Sequence, residues 1–231
     1  MPLEMEAVVR AFDLRVEGDG AGATWTGHVG DSDVTAVHIG MGPALTRQAT
    51  RRLLDTAAPG HRRVDHVMIA GICGGLHPEL AVGTLVNPEV VVDHTSGATY
   101  RHTPPGAEPL VGKLVTTEGV NLDVGLSRRF FDEGCYAVDM ETSAVAEVCE
   151  GHGCDWSVYR CIGDRYFDGL LDARLVALSH PDGSADVAAV KRLLEEEPDL
   201  LPKLQQLSHD STRAARLAAE AAVRGCRALD G

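Results

Sequence analysis

One stretch constrains the fold more than any other: Ala137–Gly169, AVDMETSAVAEVCEGHGCDWSVYRCIGDRYFDG. Ala137 and Val138 read as the end of a buried strand that runs into Asp139-Met140-Glu141. Ala144, Val145, Val148 and Cys149 recur at helical spacing, which predicts a three-turn helix with one buried stripe. Gly151 and Gly153 predict its stop. Trp156 to Ile162, rich in β-branched and aromatic residues, predicts a second strand that ends at Gly163-Asp164. Strand, helix and strand in this order are the unit of an α/β sheet, whose ligands sit at the carboxyl ends of strands. Glu141 at a strand-to-helix junction and Asp164 just past a buried strand are therefore candidate site residues. Each alone also fits a plain role, since a helix dipole favours an acid in its first turn and loops commonly carry aspartate.

Composition narrows the class. The chain has 231 residues, 44% of them hydrophobic, which is enough for one domain with a substantial core. A net charge of −13 without any basic run argues against a nucleic-acid groove or an anionic membrane surface as partner. Six cysteines show no C-x-x-C pair, and ten histidines form no H-x₃-H cluster, so no metal site is expected. No signal peptide and no membrane-length apolar run is present, and the plain expectation is a cytoplasmic protein with reduced core thiols.

The remaining chain alternates between strand and helix signals. Ala23–Val29 and Val34–Ile39 read as strands joined by a turn over Gly30–Asp33. Gly40-Met41-Gly42-Pro43 opens a helix to about Ala57, with Ala44, Ala49, Leu53 and Leu54 as its buried stripe. Val64–Ala70 reads as a buried strand running into a glycine turn, Gly71-Ile72-Cys73-Gly74-Gly75-Leu76, whose amides would form an anion-binding nest. Thr84–Asp93 continues as strand, His94–Pro109 as an exposed loop and Lys113–Thr117 as strand. Asp186–Leu194 and Leu204–Ala222 read as helices. The predicted fold is α/β: a single three-layer domain over residues 1–231, a central mixed, twisted sheet flanked by helices, with 185–231 as a helical C-terminal extension.

VDMETSAVAEV followed by VYRCIGD resembles the purine nucleoside phosphorylase and methylthioadenosine/adenosylhomocysteine nucleosidase superfamily. There a (V/E)-M-E helix start precedes R-x-(I/V)-S-D at this spacing, and glycine at 163 replaces the usual serine. The run GGLHPELAVGTLV from Gly74 matches a second family pattern, (S/A)-G-G-L-x-P-x-L-x-x-G-D-(I/V)-V. The resemblance implies cleavage of the bond between a ribose C1′ and a purine nitrogen, without metal or organic cofactor. It implies Asp164 as the acid near the purine N7 and Glu6 as the residue handling the attacking water, with Glu4 as the other choice. Glu141 would accept hydrogen bonds from the ribose hydroxyls, with Met140 against the sugar and Arg160 holding Glu141 or the Asp164 segment. Cys73 and Gly74, and Val120 and Asn121 in the base-contacting loop, complete the implied substrate contacts. Val120 stands where the family has an aromatic ring, leaving Tyr166 and Phe167 as candidates for stacking.

Ile69 and Ile72 occupy the positions from which related phosphorylases hold phosphate, so hydrolysis is expected. Phosphorolysis with inorganic phosphate is the alternative, served by Arg47, Arg160 or a neighbouring subunit, and a non-catalytic nucleoside-binding protein is a third possibility. Relatives imply a homo-oligomer. The family also opens with a short apolar strand before Leu3-Glu4-Met5-Glu6. Either residues precede Met1 here, or the sheet lacks an interior strand.

Overall fold

The computed structural model describes residues 2–17, 24–55, 63–106, 109–110, 112–180 and 183–230. Helix α1 (Pro2–Phe12) leads into a small antiparallel sheet of β1 (Arg15–Glu17), β2 (Thr24–Val29) and β3 (Ser32–Ala36). The expected hairpin is tighter than predicted, because Ser32 and Asp33 already pair with Val29 and His28. Val37–Ile39 are not strand. Asp230, at the far end of the chain, accepts from the Asp31 amide and the Ser32 hydroxyl and pins this turn.

The larger sheet has the order β5-β10-β4-β9-β8-β6-β7. Its strands are β4 (His66–Gly75), β5 (Leu85–Val86), β6 (Val90–Asp93), β7 (Thr99–Tyr100), β8 (Lys113–Thr116), β9 (Cys135–Asp139) and β10 (Asp155–Arg165). Pairing is mixed: β10 and β4, β8 and β9, and β6 and β8 run parallel, while β4 and β9, β5 and β10, and β6 and β7 are antiparallel. Helices α2 (Pro43–Asp55) and α4 (Thr142–His152) pack on one face. On the other, α7 (Leu201–Leu229) lies over β4 and β10 with α1 against it. This is the three-layer α/β domain expected.

Local chemistry explains the main elements. Seven of the eleven residues of α4 are buried, so it sinks into the core rather than presenting one stripe. Gly153, with φ +62°, ends α4 and donates to the Cys149 and Glu150 carbonyls; Gly151 stays helical. The buried residues of α2 are Thr46 and Thr50 rather than Ala44 and Ala49, with the Thr50 hydroxyl donating to the Thr46 carbonyl at 2.9 Å. Alanines 214, 215, 218, 219, 221 and 222 give α7 a flat buried face that approaches β10 closely. Four elements escaped the sequence reading: β1, α3 (Val124–Asp132), the short strand β7, and α5 (Ala173–Val176). The Thr84–Asp93 strand is broken at Asn87–Glu89. The predicted C-terminal helices are α6 (Val187–Glu196) and α7.

Two departures position the site. The predicted glycine turn is extended, and β4 runs through to Gly75 as a strand, so no nest of consecutive amides forms there. In addition, β4 is paired with β10 along its length, but with β9 only at Gly74 and Gly75. From His66 to Cys73 its other edge has no strand partner among the described residues. The Glu4 carboxylate of α1 takes one of those edge donors, the Ile72 amide, at 2.8 Å.

Candidate active site

Strand β10 carries Arg160, which is 4% exposed at the side chain. Its Nε donates to Asp139 Oδ2 at 3.0 Å, and Nη2 lies 2.8 Å from that oxygen. Nη2 also donates to Glu141 Oε2 at 3.1 Å, and Nη1 donates to the Ile72 carbonyl at 3.2 Å. Glu4 Oε1 stands 3.7 Å from Nη1. Burial opposes the charge on this arginine, but Asp139, Glu141 and Glu4 outweigh it and hold the guanidinium ionised above its usual range.

Each carboxylate is placed by a different element. Asp139 ends β9 and accepts from the Thr116 hydroxyl at 2.8 Å and from the backbone and hydroxyl of Thr142, so its lone pairs are spent. Glu141 immediately precedes α4, and its Oε1 accepts the Gly42 amide at 3.0 Å. Burial raises its pKa, Arg160 draws it back and Asp139 adds to the rise. Each Glu141 oxygen thus accepts one of these bonds, and a carboxylate oxygen carries two lone pairs.

Asp164 reaches the same cleft by a break in register. Ile162 pairs with Cys73 and Asp164 with Gly74, leaving Gly163 as the extra residue of a bulge. Residues 160, 162 and 164 therefore do not share a face, as an unbroken strand would require. The Asp164 carboxyl lies over Gly74, with Oδ2 at 3.8 Å from where a Cβ on that residue would be. Burial first, and the nearby Asp168 second, push its pKa up to about 6. A carboxyl that keeps its proton so far up can donate it.

Met140, Glu141, Arg160, Asp164, Cys73 and Gly74 all line one cleft of about 1380 Å³, and so do Val120 and Asn121. The cleft continues along the unpaired edge of β4 to Val34–Ile39. Cys73 is a buried, neutral thiol, its pKa raised first by burial. The Asn121 side chain is turned to its own loop, donating to Ser127 Oγ at 2.9 Å and accepting the Asp123 amide at 3.0 Å. Val120 is 41% exposed.

Glu6 also borders the cleft but is not brought beside Arg160. Its side chain is 69% exposed and pairs with Arg10 at 3.0 Å, one turn along the solvent face of α1. Residues two apart on a helix point about 200° apart, so only one of Glu4 and Glu6 can face β4. It is Glu4. Asp139 and the Gly42 amide carried no assigned role in the sequence reading; a carboxylate closing a buried strand was the available signal for the first.

The fold is thus a mixed α/β sheet with a carboxylate-ringed arginine against the carboxyl end of β9. The family model described as the phosphorylase superfamily matches residues 1–117, and the chain belongs to that superfamily. Among curated relatives, a 5′-methylthioadenosine/S-adenosylhomocysteine nucleosidase of Geobacillus kaustophilus is 28% identical over 196 residues, covering 69% of this chain and 81% of that one. The same-named protein of Bacillus pumilus is 30% identical over 171 residues, covering 60% and 71%. In structure the fold matches a Colwellia psychrerythraea nucleosidase of that name, solved with adenine, at a TM-score of 0.72 and 16% identity, covering 99% of this chain and 92% of that one.

Proposed function

We propose that this protein hydrolyses the N-glycosidic bond of a purine-type nucleoside. The observation that carries the choice of water over phosphate is the engagement of the cleft's cations. Arg160 is surrounded by Asp139, Glu141, Glu4 and the Ile72 carbonyl. Arg165 is closed on Asp168 by two bonds of 2.7 and 2.9 Å, and Arg63 donates to the Gly153 carbonyl at the opposite end of β10. A phosphate entering beside Glu4 would meet a carboxylate and gain no free guanidinium, losing the charge-assisted bonds that hold such anions.

In this reading the ribose hydroxyls donate to Glu141, and Met140 lies against the sugar. Asp164 gives its proton to the purine as negative charge develops on the leaving base. Glu4 orients water toward the positive charge growing at C1′. Its carboxylate is fixed by the Ile72 amide, which preorganises the attack. The names of the relatives make nucleosides of adenine with a 5′-thioether the first substrates to try. The same reading takes the protein to be a cytoplasmic homo-oligomer, on the resemblance; no helix among the described residues is long and apolar enough to cross a membrane. Light scattering of the purified chain checks the oligomer.

The test is base release from a nucleoside panel with and without phosphate. Phosphate-independent release is the expected outcome. Release only with phosphate means phosphorolysis, and binding without release means a nucleoside-binding protein.

A further inference from the structure

We infer that Tyr166 supplies the aromatic face on which the purine base lies; this rests on the proposed nucleosidase activity. A planar two-ring base needs a flat apolar partner, and the loop that should provide one presents Val120 and a self-bonded Asn121. Of the Phe, Tyr and Trp side chains among the described residues, two line the cleft, Phe12 and Tyr166. Phe12 is 6% exposed at the end of α1, buried with Leu14, Val29 and Tyr159. Tyr166 follows Asp164 by two residues, in a single 3₁₀ turn over Tyr166–Asp168.

That turn is bracketed by the Arg165–Asp168 ion pair, which fixes the ring between its two anchors. The ring packs against the cluster of Leu76, Val115 and Phe130, alongside Leu126 of α3. Helix α3, which touches the 3₁₀ turn, is entered from the loop that carries Val120 and Asn121. Phe167 is excluded: it is 40% exposed, edge-on to Tyr166 at 5.1 Å, and covered by the Arg165 guanidinium 4.7 Å from its centroid. It does not line the cleft. The assignment makes Tyr166 a specificity residue for flat purine bases, adjoining the proton donor in sequence and in space.

Calorimetric titration of adenine and of hypoxanthine into wild type, Tyr166→Leu, Tyr166→Phe and Phe167→Leu tests it. Stacking on an aromatic side chain is worth roughly 10- to 100-fold in affinity. Tyr166→Leu is expected to weaken the base by that factor and to raise KM more than it lowers kcat. Tyr166→Phe keeps the ring and the affinity, and Phe167→Leu matches wild type. Tyr166→Leu binding as tightly as wild type, while wild type releases base from the panel, overturns this inference alone. A wild type that neither releases nor binds purine overturns the proposed activity with it. Should Tyr166→Leu not fold, ring resonances of the four tyrosines decide: adenine must shift the one absent from Tyr166→Phe, and no shift there overturns the inference.

Discussion

Glu4 and Arg160 face each other at 3.7 Å across the open edge of β4, with the Ile72 amide and carbonyl between them. An acid from the first turn of the chain and a base from a central strand thus share the backbone of one residue. This contact carries the water half of the proposed reaction and separates Glu4 from Glu6.

Exchanging the two acids separately checks that division. Glu4→Gln is expected to lower kcat by about 10²-fold or more, as for other positioned general bases, with KM moving less. Glu6→Gln removes only an exposed pair and should leave kcat unchanged and stability within about 0.5 kcal/mol. Equal losses in steady-state assays would remove Glu4 from its role.

Asp164→Asn should lose turnover by about 10²–10⁴-fold while keeping affinity for a non-cleavable nucleoside analogue. The amide cannot deliver a proton, yet it fills the same space over Gly74. Single-turnover base release paired with analogue binding separates the two effects.

The pH dependence follows from the same carboxyl. Its pKa is raised to about 6, so the donating proton is present below that pH and lost above it. The kcat/KM profile should fall as pH rises through about 6, and no such limb should remain in the residual activity of Asp164→Asn. Linkage gives the matching stability statement. A carboxyl whose folded pKa exceeds its unfolded value stabilises the fold fully below the unfolded pKa and loses that contribution as pH rises through the folded one. Wild type should therefore fall behind Asp164→Asn between pH 4 and 7, by about 1–3 kcal/mol once the open side of the cleft is allowed for. Thermal melts of both proteins across that range measure it.

Gly71→Ala tests the packing beneath Arg160. A methyl there would land on the Glu4 carboxylate and on Nη1 of Arg160, neither of which can move without breaking its partners. The expected cost is about 1–3 kcal/mol of stability, with activity lost further than stability alone explains. Denaturant titration and kinetics on the folded fraction distinguish the two.

Much of this was legible in the sequence, and the reasons for the rest are physical. Glu141 and Asp164 could be read because strand ends in an α/β sheet are where ligands sit, and because their motifs keep family spacing. The choice between Glu4 and Glu6 depends on which way α1 rolls, and that is decided by its packing on α7, far along the chain. The glycines from Gly71 to Gly75 fit a turn or a strand equally well by composition. Pairing with β10, residue by residue, makes them strand. Helix α3 was hidden because Gly125 and two arginines blur its apolar period; its signal was Asp123, whose side chain caps the Gly125 and Leu126 amides. The expected Leu53 and Leu54 of α2 do pack on the core. The first half of its buried face was misread because Thr46 and Thr50, the latter donating to the Thr46 carbonyl, pack where Ala44 and Ala49 were expected.

The bulge at position 163 makes strand register, more than side-chain identity, the condition for delivering the acid. A Cβ at Gly163 would meet Ile72 no closer than 3.4 Å, so serine or alanine fits there. Were residue 163 instead drawn into regular pairing opposite Gly74, Asp164 would fall opposite Gly75 and turn to the other side of the sheet. The direction of the proton donor is thus set by where the unpaired residue falls, which substitution at 163 preserves and a shift of register does not.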